Sequence, residues 1–214
     1  MAVISPTVLA DNLDTYKQQM ERVASFSTRI QVDITDGIFA QTITVGVGDL
    51  WWPEELQVDV HAMVQRPEDY LVQLIRLKPR MVIFHAEAEG DMPAVLATLK
   101  QYGIKAGIAL QRPTVASNNE AVIREADHVM IFSGNLGSFG GQASLMQLEK
   151  VRLIKRINSE AEIGWDGGVT VDNAYGIKQG GVDVLNVGSA IHNSPDPSFT
   201  YDTLVAEINK KGVF

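Results

Sequence analysis

Short apolar runs, each rich in β-branched residues, recur along the whole chain and constrain the fold more than any other feature. Runs that are apolar throughout are typical of strands buried on both faces, as in a parallel sheet covered by helices. The sequence contains eight of them: Val3–Ser5, Arg29–Val32, Val58–Val60, Met81–Phe84, Ala106–Ala109, His128–Phe132, Ile163–Trp165 and Val182–Val187. Eight parallel strands are therefore predicted.

Segments with helical spacing fill most intervals between these runs, whereas residues 34–56 lack such spacing. Eight units in 214 residues average about 27 residues each, close to the ~30 of a strand with its crossover helix. The predicted helices cover residues 12–25, 67–77, 91–102, 117–125, 142–157, 171–179 and 197–210. We expect a single (β/α)8 barrel domain over residues 1–214, near the lower end of the size range of that fold.

An open doubly wound sheet is the alternative to a closed barrel. The first run is not followed by G-x-G-x-x-G, and the P-loop pattern G-x-x-x-x-G-K-[ST] does not occur in the sequence. The readings that would place a nucleotide on an open sheet therefore lose support, and the closed barrel is favoured.

The composition excludes several classes of chemistry. A chain without cysteine has no disulfide, thiol nucleophile or thiolate zinc site. A formal net charge of −8 argues against nucleic-acid and membrane partners, which select Lys- and Arg-rich surfaces. The sequence has neither a basic, apolar leader pattern nor an apolar run of membrane-spanning length, so a cytoplasmic protein is expected.

Polar side chains stand at the carboxyl ends of the apolar runs, where a barrel carries its functional residues. Residues two apart on a strand point to the same side. Two such sets are Gln31, Asp33 and Thr35, and Asp59, His61 and Met63. Together with Asp166, these carboxylates and the imidazole suit proton abstraction beside a carbonyl, with a divalent metal as electrophile or with two carboxylates as base and acid. Taken singly, each is also compatible with a turn or core role.

Glycines cluster at the ends of three consecutive predicted strands. Gly167 and Gly168 follow the seventh run and Gly188 and Ser189 follow the eighth, the two loops that commonly bind phosphate in these barrels. The loop after the sixth run, residues 134–142, adds further glycines and Phe139, a candidate apolar lid. Phosphate binding through backbone amides is therefore favoured over a set of unrelated turns.

The sequence does not decide the roles of the other three histidines. His85 and Glu87 follow the fourth run, where contact with the site and a packing role are both compatible with the pattern. His128 begins the sixth run and His192 lies beyond Gly188, and the sequence assigns neither of them a function.

Several motifs resemble the ribulose-phosphate 3-epimerase family over nearly the whole chain. They are SPTVL, VDITDG, DVHAMV, FHAEA, GIAL, GSFGGQ, WDGGV and VGSAI, in the order and at about the spacing of that family. The resemblance implies a (β/α)8 barrel that inverts C3 of a ketopentose 5-phosphate. In that reaction a proton is removed from C3 of the ketose to give a metal-stabilised enediolate, and another proton is returned to the opposite face.

Carried over to this sequence, the resemblance implies that Asp33 and Asp166 are both the acid/base pair and metal ligands. It further implies that His61 is a metal ligand at the substrate, and that Met63 packs around the reacting carbons. Thr7 stands where the family has a serine and keeps a hydroxyl near the substrate. The implied phosphate clamp comprises Gly140, Gly141, Gly167, Gly168, Gly188 and Ser189.

The departures from the family pattern concentrate at the reacting end. Gln31 replaces a histidine ligand, Thr35 replaces a methionine, Phe39–Thr42 lacks a proline and an asparagine, and Gly137–Ser138 replaces Pro-Gly. A glutamine offers an oxygen instead of an imidazole nitrogen, which weakens a zinc site more than a Mn²⁺ or Mg²⁺ site. The implied cofactor is a divalent ion (Zn, Mn, Fe or Mg), whose presence Gln31 leaves open.

Two hypotheses of different classes follow. The first is an epimerase of a phosphorylated ketose, either ribulose 5-phosphate or a ketohexose 6-phosphate such as allulose 6-phosphate. The second, which Gln31 favours, is a phosphosugar-binding barrel that has lost catalysis and acts as a sensor or interaction protein. The predicted partner in both is a phosphorylated ketose, and a homo-oligomer is compatible with either. An aldol-type synthase or decarboxylase lacks support, because Lys78 and Lys105 precede strands and so lie at the wrong end of the barrel.

Overall fold

The computed structural model describes residues 2–211 and confirms the closed barrel. Each strand pairs in parallel with the next, and β8 closes the ring against β1. The strands are β1 Val3–Val8, β2 Arg29–Thr35, β3 Gln57–Met63, β4 Met81–His85, β5 Lys105–Leu110, β6 His128–Phe132, β7 Glu162–Asp166 and β8 Val184–Val187. The predicted domain, residues 1–214, also includes residues 1 and 212–214, which lie outside the described residues.

Helices follow every strand except β2. They are α1 Leu13–Ala24, α2 Leu71–Leu77, α3 Met92–Gln101, α4 Glu120–Glu125, α5 Glu149–Ile157, α6 Val171–Gln179, α7 Ser189–His192 and α8 Pro197–Ile208. Between β2 and β3, the only helical element in residues 36–56 is a short 3-10 turn at Val47–Asp49, as the missing periodicity predicts. None of the helices within residues 2–211 combines the length and apolar character that a membrane crossing demands.

Several helix starts follow directly from the sequence. Asn12, Asp91 and Asp196 each accept a hydrogen bond from a backbone N–H in the first turn of the helix that follows. Three predicted starts were too early. Residues 67–69, 116–119 and 145–148 form 3-10 turns, so α2 begins at Leu71, α4 at Glu120 and α5 at Glu149. Short 3-10 turns commonly lead into α-helices, and their periodicity is hard to separate from that of the helix.

The amino-terminal end of the barrel is closed by buried ion pairs. Arg29 donates to both carboxylate oxygens of Glu162, at 2.8 and 2.7 Å, and its Nε donates to Asp59 at 2.8 Å. Arg80 donates to the other oxygen of Asp59 at 2.6 Å, and His128 Nδ1 lies 2.9 Å from Glu162. The interpretation that Asp59 joins His61 over the mouth was therefore wrong. The two share a strand face, but Asp59 lies at the far end, where two arginines neutralise it.

We expect Glu162→Gln to lower the free energy of unfolding by about 2–3 kcal/mol at pH 7, between the values of exposed and buried ion pairs. Burial alone would raise the pKa of Glu162, but hydrogen bonds from His128 and Arg29 and their charges outweigh it and hold that pKa far below its usual range. A carboxylate with a lowered folded-state pKa stabilises the protein above its unfolded-state pKa, and this contribution is lost as the pH falls. The gap between wild type and variant should therefore narrow in acid.

Chemical denaturation from pH 7 down to about pH 3 measures that gap, which should begin to narrow only below about pH 5. The matched control is Glu160→Gln, because Glu160 is exposed and hydrogen bonds only within its own loop. A gap that stays constant with pH, or one equal to that of the control, would show that the ion pairs do not support the barrel.

Candidate active site

Three side chains from different strands converge at the carboxyl ends of the barrel. Asp33 and His61 are paired in register on β2 and β3, and Asp166 ends β7. The Nδ1 atom of His61 lies 3.0 Å from a carboxylate oxygen of Asp33 and 3.6 Å from one of Asp166. All three ligand atoms fall within 4.8 Å of one another. The structure thus brings together the two carboxylates and the imidazole that the sequence predicted.

The carboxamide of Gln31 fills the space between the two carboxylates. Its Nε2 donates to Asp33 at 2.8 Å and to Asp166 at 2.5 Å, so this amide occupies the centre of the cluster. Its Oε1 is buried and has no hydrogen-bond partner among the described residues. Exchanging the amide nitrogen and oxygen by rotating the carboxamide would present a third oxygen, and so a fourth ligand, to a cation. The donor set of two carboxylates, one imidazole and one amide oxygen therefore fits a divalent ion.

The pKa values of Asp166 and His61 are both raised in this buried cluster. Burial, followed by the negative charge of Asp33, raises the pKa of Asp166 far above its usual range, although His61 and Gln31 act in the opposite direction. Burial alone would lower the pKa of His61, but the hydrogen bond and charge of Asp33 and the charge of Asp166 raise it. A proton or a cation is therefore strongly favoured between these groups.

His85 and Glu87 extend the cluster outward from His61. The Nε2 atoms of His61 and His85 are 2.9 Å apart, and His85 Nδ1 lies 3.3 Å from Glu87 Oε2. The other oxygen of Glu87 accepts from the backbone N–H of Gln111 at 2.9 Å and from the hydroxyl of Thr114. The sequence left His85 between packing and function, and the structure places it in direct contact with a site residue.

The predicted phosphate residues line the same cavity. Thr7, Met63, Gly140, Gly167, Gly168, Gly188 and Ser189 surround it together with the three cluster residues. Gly141 is the exception, since it does not line this cavity and lies beside the side chain of Asn135. Gly167 has φ +104, and a Cβ there would come within 2.0 Å of the backbone nitrogen of Gly134. Only glycine allows the ends of β6 and β7 to approach this closely.

Phe139 covers the glycine-rich side of the cavity. A methyl group on Gly188 would lie 2.5 Å from the Phe139 ring, which also stacks on His192 with centroids 5.2 Å apart. His192 in turn contacts the backbone oxygen of Thr7 at 2.7 Å, a role that the sequence did not indicate. The remaining cavity measures about 30 Å³, enough for one or two water molecules. A ligand larger than this fits only if the lining side chains or the loop that carries Phe139 move.

The model of the family described as "Ribulose-phosphate 3 epimerase family" matches residues 3–192 of this sequence. The chain belongs to the ribulose-phosphate 3-epimerase family. Its relatives include the chloroplastic ribulose-5-phosphate-3-epimerase of Arabidopsis thaliana, 33% identical over 91% of this chain and 73% of that protein. A ribulose-phosphate 3-epimerase of Helicobacter pylori is 31% identical over 94% of this chain and 95% of its own length. Membership of this epimerase family makes the chain an isomerase.

Solved structures outside the ribulose-phosphate 3-epimerase family share the fold. The 3-hexulose-6-phosphate synthase of Salmonella typhimurium superposes with a TM-score of 0.71 at 15% identity, covering 95% of this chain and 98% of that one. KGPDC of Streptococcus mutans gives a TM-score of 0.75 at 12% identity, covering 97% of this chain and 98% of its own. At such low identity these neighbours support the barrel alone.

Proposed function

We propose that this member of the family interconverts ribulose 5-phosphate and xylulose 5-phosphate by proton transfer at C3. One observation carries the proposal. Asp33 and Asp166 reach into the same cavity from β2 and β7, held apart by the amide of Gln31, and the glycines of three loops line that cavity. An epimerase needs two acid/base groups on opposite faces of one carbon together with an anchor for the distant phosphate.

Each residue has a distinct task in this reaction. One aspartate removes the C3 proton of the bound ketose, and the other returns a proton to the opposite face of the planar enediolate. The backbone amides of Gly167, Gly168 and Gly188 bind the phosphate, whose charge suits N–H donors. A divalent ion held by Asp33, His61 and Asp166, with Gln31 Oε1 as a fourth ligand, would supply positive charge to the enediolate oxygens. The three oxygen ligands favour Mn²⁺ or Mg²⁺ over zinc.

Solvent labelling tests the proposal directly. Incubation of the protein with ribulose 5-phosphate in deuterated water, after addition of Mn²⁺, is expected to yield xylulose 5-phosphate that carries deuterium at C3, as read by NMR. Proton transfer to and from carboxylates that exchange with solvent requires this label. Unchanged, unlabelled substrate at high enzyme concentration, with or without Mn²⁺, would contradict an epimerase.

The same assay separates the remaining alternatives. Thr35 and Thr42, whose hydroxyls lie 3.4 Å apart, stand where the family pattern has other residues. Thr42 also donates to the carbonyl oxygen of Gly137, a residue that lines the cavity, so a ketohexose is worth testing. Allulose 6-phosphate run in parallel decides the length of the sugar, since the preferred substrate has the larger kcat/KM. Tight binding of either phosphosugar without label or turnover would support the binding-only alternative, for which the Gln31 amide in the centre of the cluster is the supporting feature.

A further inference from the structure

An unbroken line of hydrogen bonds connects the proposed catalytic cluster to the loop after β5. It passes from His61 on β3 to His85, the last residue of β4, and then to Glu87. Both histidine side chains are fully buried, and the His85 ring lies against Phe39 and Phe132 at centroid distances of 5.0 and 5.3 Å. The contacts of His85 therefore leave its two nitrogens facing His61 and Glu87.

The ionised carboxylate of Glu87, at the outer end of this line, determines which partner donates in each hydrogen bond. Glu87 Oε1 already accepts from the Gln111 N–H and the Thr114 hydroxyl, as an ionised carboxylate does. Glu87 Oε2 can then only accept, so the proton on this side of the ring belongs to His85 Nδ1.

The position of the proton on His85 in turn determines which nitrogen of His61 donates to it. Two ring nitrogens 2.9 Å apart share one proton, and a His85 ring that holds its proton on Nδ1 accepts at Nε2. His61 therefore donates from Nε2. Its Nδ1 faces Asp33 at 3.0 Å and Asp166 at 3.6 Å, where a divalent ion can replace the proton on that nitrogen.

We propose that Glu87, acting through His85, is a positioning residue that fixes the tautomer of His61 and so keeps its Nδ1 available to the catalytic cluster. This inference rests on the proposed function for its purpose, although not for its geometry. Residues that orient a metal-binding histidine in this way typically change metal affinity by about 10- to 100-fold when they are replaced.

Replacing Glu87 with glutamine, which has nearly the same shape, is expected to exchange donor and acceptor in each hydrogen bond of this line. In Glu87→Gln, the backbone N–H of Gln111 cannot become an acceptor, so the amide oxygen must remain on that side and the amide NH₂ must face His85. His85 Nδ1 then has to accept, its proton moves to Nε2, and His61 Nε2 becomes the acceptor. The proton of His61 is left on Nδ1, where it blocks that nitrogen as a ligand.

Two measurements on the full-length protein, both without substrate, test this reversal. Imidazole ¹⁵N NMR of the metal-free protein should report His85 protonated at Nδ1 in the wild type and at Nε2 in Glu87→Gln. His128→Gln and His192→Gln variants help to assign the spectra of the four histidines. The dissociation constant of Mn²⁺, measured by electron paramagnetic resonance, should rise about 10- to 100-fold in Glu87→Gln.

Matched variants distinguish a reversal of these hydrogen bonds from a general disturbance of the packing around Glu87. Glu89→Gln makes the same exchange two residues away, where exposed Glu89 accepts from Gln65, and should change neither measurement. Thr114→Val removes one donor to Glu87 but keeps its carboxylate, so the tautomer should stay as in the wild type. If Glu87→Gln does not fold, His85→Phe removes the acceptor for His61 and should weaken Mn²⁺ binding at least tenfold.

The proposal is overturned if His85 keeps the same protonated nitrogen in Glu87→Gln, or if Thr114→Val reverses it as well. Unchanged Mn²⁺ affinity in His85→Phe would also overturn it. An inactive wild type with the predicted NMR reversal would refute the proposed function and leave this inference standing. Should the wild type bind no Mn²⁺, the tautomer alone decides the outcome.

Discussion

Replacing either Asp33 or Asp166 with asparagine is expected to lower kcat/KM for epimerisation by about 10³-fold, within the range that a positioned acid/base group contributes. An amide keeps the shape and hydrogen-bonding reach of the carboxyl group but neither removes a proton from carbon nor delivers one. The matched control is Asp172→Asn, an exposed aspartate on α6 that should retain wild-type activity. Coupled assays of product formation measure the loss in each direction.

Isotope exchange tests which face of C3 each aspartate serves, which a loss of rate alone does not reveal. With only one aspartate left, a variant can still remove and return the proton on one face of C3, so one epimer should exchange its C3 hydrogen with deuterated water without inversion. The two variants should show this exchange with opposite epimers. If both variants exchange the same epimer, or if either still inverts C3 at the wild-type rate, the assignment of one aspartate to each face is wrong.

The second large effect concerns the close approach of β6 and β7. Gly167→Ala should lower the free energy of unfolding by about 4 kcal/mol, against about 1 kcal/mol for Gly140→Ala. Both glycines have similar positive φ angles, +104 and +95, so the backbone strain of adding a Cβ is matched. The Gly167 Cβ meets backbone atoms of Gly134 at 2.0 and 2.3 Å, whereas nothing lies within 4 Å of a Cβ at Gly140.

Denaturant unfolding of both variants isolates the steric contribution from the backbone strain. Equal losses of stability would mean that the approach of residues 133–134 to Gly167 does not constrain the barrel. A large loss confined to Gly167→Ala should also raise KM for the phosphosugar, because the displaced backbone belongs to the proposed phosphate clamp.

The barrel was predictable because its signals are local and repeated. Apolar runs such as Met81–Phe84 and the caps at Asn12 and Asp91 encode strands and helix starts within a few residues. Strand parity placed Asp59 on the same face of its strand as His61 but could not give the depth of either residue along the barrel axis. Asp59 therefore looked like a site residue, although Arg29 and Arg80 bind it at the opposite end.

The finer parts of the site depend on contacts between distant segments. His192 reaches Thr7 and Phe139 across the closure of the barrel, and neither contact leaves a pattern in the sequence. The spacing of His85 and Glu87 placed both at a strand end, but their bonding to His61 required the register of β3 and β4. The donation of Gln31 to both carboxylates likewise depends on where β7 lies relative to β2.

Because no α-helix lies between β2 and β3, this part of the barrel is covered by a loop. Residues 36–44 arch over the mouth, closed by a bridge between Asp36 and Ile43 and tied at Val45 to the backbone of Ala10. Thr42 reaches from this arch to the carbonyl oxygen of Gly137, while Ile38 and Ile43 remain exposed. No strand or helix of the ring includes residues 37–42. Substitutions at the exposed positions of the arch, Ile38 and Ile43, are therefore expected to change the surface beside the cavity while the strands and helices of the ring keep their hydrogen bonds.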